Sequence, residues 1–422
     1  MTALTPVEPG GRDVESVRAP RRGQESPRHA RQKRRSGAPA VIGLVAGVLS
    51  VLLVSASAVG GVVLNSFNQR LQENVVVLAE THEISADVGA IDGGFNILIV
   101  GTDSREGTWM GEDATADHGG ELNDVNILVH VAQDQSNATV ISFPRDLEVD
   151  LPDCARFFGY SNKINTAYPG GDFNGNGLAC VVQTVENLTG LPIHFAGKVS
   201  FAGVIALADA IGGVSVCTDG PIYDPYSGLD IPTGGEHVLA GEEALAFLRT
   251  RHGVGDGSDW SRVSSQQVYL SSLLRKVKAD GTLADPGRLF NLANIAINNM
   301  VLSSGFADPF TLVSIALTLK NLPLERVSFV QFPTSGTNER SNAVTNWYAA
   351  EPLLAYVAAD EPFQLPEIGD NRGTIADPNA PAAPEPSSTD APAPVDNSEL
   401  PVLVGVTGQT GAQYSCSVSN IE

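Results

Sequence analysis

Short runs of apolar residues, each bounded by glycine, proline or polar residues, recur along the chain and predict buried strands. Four of them are FNILIVG (95–101), DVNILVHV (124–131), ATVISFP (138–144) and RVSFVQFP (326–333). They are rich in β-branched and aromatic residues, which favour strands, and their length is typical of strands covered on both faces. GGVSV (212–216) predicts a further strand after two glycines.

Helical periodicity occupies much of the chain around and between those runs. It predicts helices over residues 180–188, 201–211, 241–251, 261–278, 286–301 and 309–320. Strands that alternate with helices favour a layered α/β domain. We therefore expect one such domain over 93–360, in which a central mixed β-sheet is flanked by helices on both faces.

One apolar stretch near the start is long enough to cross a bilayer. Residues 40–64 are about 25 residues long and carry no charge, and a basic segment precedes them. The positive-inside rule then predicts a single-pass anchor in the cell membrane over 37–65, with the N-terminus cytoplasmic and the domain extracellular. A cleaved signal peptide is the competing interpretation, since Ala56-Ser57-Ala58 has the spacing of a cleavage site. A polar helical stalk is expected over 66–92.

Charge is unevenly distributed along this chain of net charge −22. Residues 1–36 contain nine Lys/Arg and four Asp/Glu, so they carry +5, and the remaining residues carry −27. Their composition predicts a disordered cytoplasmic tail. A basic tail can also bind DNA, but no recognition helix follows it. We expect it to set membrane topology and expect no nucleic-acid partner.

Four cysteines follow the predicted anchor, and an even number on the outer side of a membrane favours two disulfides. Three pairings are possible, of which we favour Cys154–Cys180. Cys217–Cys416 would then return the C-terminal tail (399–422) to the domain across a Pro/Ala-rich linker (361–398). Zinc-ligand spacing is absent. The segment DFNGNG (172–177) begins like a calcium loop, but Gln183 stands where that loop needs Glu, so we expect a glycine-rich turn.

Basic residues are scarce after residue 36, and they gather in polar motifs. Of 17 such Lys/Arg, six lie in these motifs: Arg105, Arg145, Lys163, Arg249, Arg251 and Arg262. The guanidinium fork matches two oxygens of a phosphate or carboxylate at once. A single surface arginine is often only solvated, so the inference depends on the number. Asp259 is spaced to orient Arg262, and Gln266 follows one helical turn later. The sequence predicts an anion site.

Two carboxylates lie at predicted strand ends, where α/β sheets bind ligands. Asp103 follows the first strand and Asp124 opens the second. Together they predict a Mg²⁺ site, because magnesium takes one or two protein carboxylates and completes its shell with phosphate and water. The alternative is that both only hydrogen-bond their own turns. Signatures of dinucleotide binding, of a P-loop and of a serine nucleophile are absent.

The ordered set of motifs GTDSR, NDVNILV, SFPRDL, KINTAY, ALAFLRTRH and GDGSDWSRVSSQQ resembles the LytR-CpsA-Psr family of bacterial envelope proteins, in its actinobacterial form, over about residues 93–280. The resemblance implies a phosphotransferase, a glycopolymer–peptidoglycan ligase. Its members move a glycopolymer from an undecaprenyl-pyrophosphate carrier to peptidoglycan through a new phosphodiester link. Two other functions share the same site chemistry: a polyprenyl-pyrophosphate hydrolase, and a non-catalytic envelope regulator that binds lipid phosphate.

The resemblance also implies roles for individual residues. Asp103 and Asp124 match magnesium ligands. The catalytic pyrophosphate clamp corresponds to Arg145, Arg249, Arg251 and Arg262 with Asp259, and the substrate-binding residues to Lys163, Gln266 and Arg105. The chain departs from the family pattern at Ser265, where many members are basic, and in the long polar segment before Asp124. The family's apolar tunnel for the polyprenyl chain has candidate linings in residues 199–211 and 289–301.

Overall fold

The computed structural model describes residues 75–78, 91, 93–106, 108, 121–155, 162–172, 175–306, 309–338, 342–370, 372–381 and 397–420. All of them belong to one compact unit, Val63–Glu422. The predicted basic tail and anchor lie outside the described residues and stay predictions. Among the helices that the structure does describe, none combines the length and the apolar character needed to cross a membrane.

Sixteen strands are formed by the described residues. In chain order they are β1 (Val75–Val76), β2 (Phe95–Gly101), β3 (Val125–Val131), β4 (Ala138–Phe143), β5 (Phe195–Val199), β6 (Val214–Thr218), β7 (Ile222–Asp224), β8 (Leu229–Ile231), β9 (Gly235–Leu239), β10 (Met300–Ser303), β11 (Val327–Gln331), β12 (Thr334–Thr337), β13 (Ala343–Thr345), β14 (Thr374–Ala376), β15 (Gly408–Thr410) and β16 (Ser415–Ser417). The four longest apolar runs of the sequence supply β2, β3, β4 and β11.

Eight of these strands form one large sheet in the order β1-β10-β5-β2-β3-β4-β11-β15. β3 pairs antiparallel with both β2 and β4, whereas β2 pairs parallel with β5 and β4 pairs parallel with β11. The sheet is therefore mixed, as predicted. Its centre consists of the apolar runs that the sequence marks as buried.

Eight α-helices accompany the strands in the described part of the chain. They are α1 (Ala167–Asp172), α2 (Gly177–Thr189), α3 (Phe201–Ala210), α4 (Gly241–Arg249), α5 (Asp259–Ala279), α6 (Pro286–Asn299), α7 (Pro309–Asn321) and α8 (Trp347–Ala358). Local sequence accounts for their starts in several cases. Asp285 caps α6 by accepting hydrogen bonds from the Gly287 and Arg288 amides, and proline occupies the first helical position.

Both faces of the large sheet are covered by helices, which confirms the predicted α/β architecture. Along β2, Leu98 and Val100 pack in a core with residues of α2 and α8. Phe95 and Ile97 point the other way, into a core with residues of α6 and α7. This alternation follows from the period of two along a strand, and it leaves β2 buried on both sides.

A smaller sheet has the strand order β14-β16-β6-β9. Its strand β16 comes from the C-terminal tail and is joined to β6 by a disulfide. Cys416 on β16 lies directly opposite Cys217 on β6 in a parallel pair, and the two are bonded. Cys154 is bonded to Cys180, with 5.9 Å between their Cα atoms. Both expected disulfides are therefore present, and the tail returns to the body of the unit. Strand β15, also from the tail, completes the edge of the large sheet.

Among the segments that differ from the sequence prediction, three form strands because a strand partner outweighs local preference. Val75 and Val76, inside the expected helical stalk, form β1 beside β10. The helix expected to end at Val301 ends at Asn299, since Met300–Ser303 pairs with β5. Thr374–Ala376, inside the expected linker, pairs with β16.

Candidate active site

The polar motifs meet at one end of the large sheet because of how its central strands are paired. Gly101, the last residue of β2, lies opposite Val125, the first of β3. Gly101 also lies beside Val199 at the end of β5, and Asn126 lies opposite Phe143 at the end of β4. The loops that carry Asp103, Asp124 and Arg145 therefore start from neighbouring positions.

A cavity of about 800 Å³ opens at this end of the sheet. Nine of the ten residues singled out from the sequence line it: Asp103, Arg105, Asp124, Arg145, Lys163, Arg249, Arg251, Arg262 and Gln266. They come from segments that are far apart along the chain, and the fold brings them to one place. The tenth, Asp259, is not a lining residue, and its position follows from the ion pairs below.

Arg145 lies at the centre of a group of carboxylates. Its Nη1 donates to Asp124 Oδ2 at 3.0 Å, and its Nε lies 3.5 Å from Asp259 Oδ1 and 3.7 Å from Asp146 Oδ2. Burial lowers the pKa of Arg145, but the three carboxylates outweigh burial and raise that pKa above its ordinary value. The guanidinium therefore stays charged and is held firmly in one orientation.

Arg262 is buried and is oriented from behind by Asp259. Its Nη2 lies 2.7 Å from Asp259 Oδ1, and it donates to the carbonyl oxygen of Asp124 at 3.2 Å. Arg262 is 7% exposed, and its Nε has no hydrogen-bond partner among the described residues. The expected role of Asp259 in orienting Arg262 therefore agrees with the geometry, whereas direct contact between Asp259 and a ligand does not.

Lys163 and Asn165 reach the cavity from the segment KINTAY. Lys163 Nζ lies 2.6 Å from Asp146 Oδ1. Asn165 Nδ2 donates to Asp124 Oδ1 at 3.2 Å, so the Asp124 carboxylate receives donors from both Asn165 and Arg145. This wall of the cavity therefore balances each cation with a carboxylate.

A second group of cations, Arg105, Arg249 and Arg251, also lines the cavity, and we call it the cationic wall. The Arg249 guanidinium lies over the Phe201 ring, 4.5 Å from its centroid. Burial lowers the pKa of Arg249, and the neighbouring charges of Arg105 and Arg262 lower it further. Asp103 and Asp224 act in the other direction without reversing the shift. A bound anion would relieve this repulsion among the guanidinium groups.

Asp224 positions the loop that carries Arg251, and the sequence analysis missed it. Its buried carboxylate accepts hydrogen bonds from Thr250 Oγ1 at 2.7 Å and from the amides of Arg251 and His252 at 3.1 and 3.2 Å. Burial raises the pKa of Asp224, but these hydrogen bonds outweigh it and lower the pKa overall. The only sequence signal is an Asp-Pro pair after a short apolar run, which is typical of an ordinary turn.

Helix α5 aims Arg262 and Gln266 at the cavity and Ser265 away from it. The Ser258 side chain caps the helix by accepting from the Ser261 amide. Ser265 is fully buried and its hydroxyl lies 2.6 Å from that of Ser417 on β16. Gln266 donates to the carbonyl oxygen of Leu248 at 2.8 Å. The departure from the family pattern at Ser265 therefore falls outside the cavity wall.

Asp103 and Asp124 suit a divalent cation. Burial raises the pKa of Asp103, and the charges of Asp124 and Glu121 add to that rise, while a hydrogen bond from the Leu122 amide at 2.8 Å opposes it. Two carboxylates in mutual repulsion, both hard oxygen donors, are the ligand type that Mg²⁺ prefers. Another acidic and sulfur group, Asp377 with Cys217 and Cys416, is unsuitable because its sulfurs form the disulfide.

Part of the cavity wall is apolar. Val199, Phe201 and Val204, from the first of the two candidate tunnel segments, line it together with side chains of the sheet and of α4 and α5. The second candidate segment, 289–301, contributes no lining residue to this cavity. A cavity that joins a charged region to an apolar one suits an amphipathic ligand with an anionic headgroup.

Comparison with known proteins gives one family match and several similar relatives. The family model described as "LytR_cpsA_psr family" matches residues 62–360. The cell wall biosynthesis protein LcpA of Corynebacterium glutamicum is 30% identical over 288 residues, which are 61% of this chain and 54% of LcpA. This chain therefore matches about half the length of that relative.

Two further comparisons concern a transferase and a solved structure. The polyisoprenyl-teichoic acid–peptidoglycan teichoic acid transferase TagT of Bacillus subtilis is 28% identical over 260 residues, covering 60% of this chain and 75% of TagT. A crystal structure of a Streptococcus agalactiae protein has a TM-score of 0.50 and 21% identity, covering 64% of this chain and 88% of that one. The structural likeness supports the fold alone.

Proposed function

The chain belongs to the LytR-CpsA-Psr family, and from that premise we propose that it is a phosphotransferase that attaches a glycopolymer to peptidoglycan. The donor is the polymer linked to undecaprenyl pyrophosphate, and the product is a phosphodiester. One observation carries the proposal: scarce cationic residues from distant segments line one cavity together with apolar side chains. The name of the relative TagT, a polyisoprenyl-teichoic acid–peptidoglycan transferase, describes the same kind of donor and acceptor.

The pyrophosphate lies among the guanidinium groups. Arg105, Arg249 and Arg251 receive its oxygens, because they line the cavity and because burial and nearby positive charge lower the pKa of Arg249, which a bound anion would counteract. Arg145 and Arg262 approach from the wall that their carboxylate partners hold in place. Phosphoryl transfer depends mainly on positioning and on offsetting charge at the transferred group, so fixed cations are the main requirement.

The transfer itself is one displacement at phosphorus. A hydroxyl oxygen of the acceptor glycan forms a bond to the phosphorus that carries the polymer. The bond from that phosphorus to the bridging oxygen breaks, and undecaprenyl phosphate leaves with the electron pair. The hydroxyl proton passes to a base. Two carboxylates are candidates for that base, Asp146 and Asp259, and only Asp146 lines the cavity. Both are paired with cations.

Asp103 and Asp124 would hold the magnesium ion of the family. When bound, Mg²⁺ supplies positive charge to the phosphate oxygens and to the leaving phosphate. The Asp124 carboxylate is oriented for this by Arg145 and Asn165, and the Asp103 carboxylate by the Leu122 amide.

The apolar wall at Val199, Phe201 and Val204 receives the first part of the polyprenyl chain. A membrane anchor over 37–65 would keep the cavity near the outer surface of the cell membrane, where both the lipid carrier and peptidoglycan occur. The partners are therefore the lipid-linked glycan, peptidoglycan and the membrane.

A reconstituted transfer reaction tests this function. Purified full-length protein in detergent is mixed with a lipid-linked glycopolymer, peptidoglycan and Mg²⁺, and the products are analysed by mass spectrometry. We expect polymer bound to peptidoglycan through a phosphodiester, with one undecaprenyl phosphate released per transfer. Release of undecaprenyl phosphate at the same rate without peptidoglycan would instead identify a hydrolase. Binding of the lipid with no turnover would identify a regulator.

A further inference from the structure

A second, smaller cavity lies beside the reaction cavity and takes no part in the function proposed above. Its volume is about 310 Å³, at the small end of the range for ligand pockets. We call it the Trp347 groove, and the lining residues that matter here are Glu148, Asp150, Asn162, Asn187, Val344 and Trp347.

An uncovered tryptophan forms one side of the groove. Trp347 is the first residue of α8 and is 48% exposed, and Val344 beside it is 37% exposed. The next turn of the helix is anchored in the core through Ala350 and Leu353, both fully buried. The indole is therefore held on a rigid helix while its ring stays open to solvent. Exposed aromatic rings on rigid supports are a common feature of recognition sites.

Polar groups face the tryptophan across the groove. Three exposed residues line this side: Asp150, Asn162 and Asn187. Their side chains make no hydrogen bond within the part of the chain that the structure describes. Glu148 accepts from the Asn338 amide with one oxygen only. The groove therefore offers amide donors and amide and carboxylate acceptors next to an apolar ring face, which is the combination that a sugar ring requires.

The groove adjoins the reaction cavity along the same two segments of chain. Asn162 lines the groove, and the next residue, Lys163, lines the reaction cavity. Glu148 lies directly opposite Lys163 in a β-bridge. From Asp146 to Asp150 buried and less buried residues alternate, so Asp146, Glu148 and Asp150 project from the same face. A linear ligand can therefore pass from Asp146 in the cavity to Asp150 in the groove.

We propose that the Trp347 groove binds a neutral sugar ring of a glycan strand that extends out of the reaction cavity. The proposal rests on the transferase function, which requires glycans on both the donor and the acceptor side. The two carboxylates of the groove oppose phosphate or other anionic groups, in contrast to the cationic reaction cavity. The ring therefore comes from the sugar backbone of peptidoglycan or from uncharged sugars of the transferred polymer.

Binding is measured apart from catalysis, in full-length protein that carries Arg249→Ala and so lacks a complete clamp. Calorimetry follows two probes: a soluble peptidoglycan disaccharide freed of peptide, and lipid-free polymer. Trp347→Ala should weaken binding of one probe about tenfold. Trp347→Phe should retain most of the affinity. Tyr348→Ala is the matched control, because Tyr348 is the adjacent aromatic residue, is 84% exposed and does not line the groove.

The probe whose affinity falls identifies the source of the sugar ring. Equal affinities for Trp347→Ala and Tyr348→Ala, or no binding of either probe to the parent, would overturn the proposal. In transfer reactions of the otherwise unaltered protein, Trp347→Ala should raise KM for the same glycan about tenfold while kcat stays within about twofold. If sugar binding depends on Trp347 but the protein with Arg249 intact transfers no polymer, the transferase function is refuted while sugar binding by the groove still holds.

Discussion

The two walls of the reaction cavity are built from the same residue types but differ in how their charges are balanced. On the neutralised wall each cation has a carboxylate partner: Arg145 with Asp124, Lys163 with Asp146, and Arg262 with Asp259. On the cationic wall, formed by Arg105, Arg249 and Arg251, burial lowers the pKa of Arg249, and the charges of Arg105 and Arg262 lower it further. The Arg251 guanidinium donates only to the Gly257 carbonyl oxygen among the described residues.

The cations of the two walls therefore have different roles, which the number of arginines alone does not reveal. Cations paired with partly buried carboxylates fix the shape of the cavity, because removing one leaves a carboxylate without its nearest cation. Arg249 is held near other cations, so it attracts an incoming anion, and its loss relieves the repulsion from Arg105 and Arg262. The two walls should therefore respond differently to the same substitution.

Arg249→Ala should have the largest effect on activity and little effect on stability. Loss of a guanidinium from the cationic wall should lower kcat/KM for transfer about 1000-fold, in the range for removing one preorganised donor to a developing charge. Thermal unfolding should stay close to that of the parent. Arg288→Ala is the matched control, since Arg288 is exposed, does not line the cavity and contacts only Asp285 and the Asp280 carbonyl oxygen with its guanidinium among the described residues. Activity within tenfold of the parent would show that Arg249 does not belong to the pyrophosphate clamp.

Arg262→Ala should reduce both activity and stability, in contrast to Arg249→Ala. It leaves Asp259, itself 10% exposed, without its closest cation. We expect a loss of about 3 kcal/mol in the free energy of unfolding, as for breaking a buried ion pair, and a roughly 100-fold fall in kcat/KM. Urea unfolding of both variants tests the contrast. Equal stability for the two would mean that the walls do not differ as described.

Asp103→Asn should change the response to magnesium more than it changes the fold. It removes one of two carboxylates at the proposed metal site, so the Mg²⁺ concentration for half-maximal activity should rise about tenfold. Titration of transfer rate against Mg²⁺ measures this. Parent activity that is the same in chelator as in magnesium would rule out the metal role.

Asp224→Asn should lower the free energy of unfolding by an amount that depends on pH. The pKa of Asp224 lies below its ordinary value of 3.8, so its carboxylate stabilises the fold above pH 3.8 and that stabilisation is lost as pH falls through the folded-state pKa. At pH 6 the variant should be about 2 kcal/mol less stable than the parent, since three donors lose a charged acceptor. The difference should shrink on acidification below pH 3.8. A difference independent of pH would contradict this role.

The sequence predicts the central architecture because short apolar runs and periodic helices carry strong local signals. β2, β3, β4 and β11 occur within one or two residues of their predicted bounds. Several strands with weak local signals were not predicted; among them, β1, β10 and β14 are two to four residues long and exist because a partner strand is present. No pattern within such a segment distinguishes it from a loop.

The candidate site was predictable wherever its residues are rare in the chain. Scarcity of basic residues pointed to Arg249 and Arg262 before any geometry was known. Asp224 carries no such signal, because acidic residues are abundant here, and the sequence does not show that the Trp347 ring is exposed. The difference between the two walls could not be predicted from the sequence either, because it depends on which carboxylates the fold brings beside each arginine.

The most direct test of the central claim is the affinity of the parent protein and of Arg249→Ala for a short-chain polyprenyl pyrophosphate in Mg²⁺. Isothermal calorimetry should give saturable binding to the parent and an affinity about 100-fold weaker for Arg249→Ala, with Arg288→Ala unchanged. The corresponding monophosphate should bind more weakly and depend less on Arg249. Equal affinity of the parent, Arg249→Ala and Arg288→Ala for the pyrophosphate would show that the converging guanidinium groups do not form its binding site.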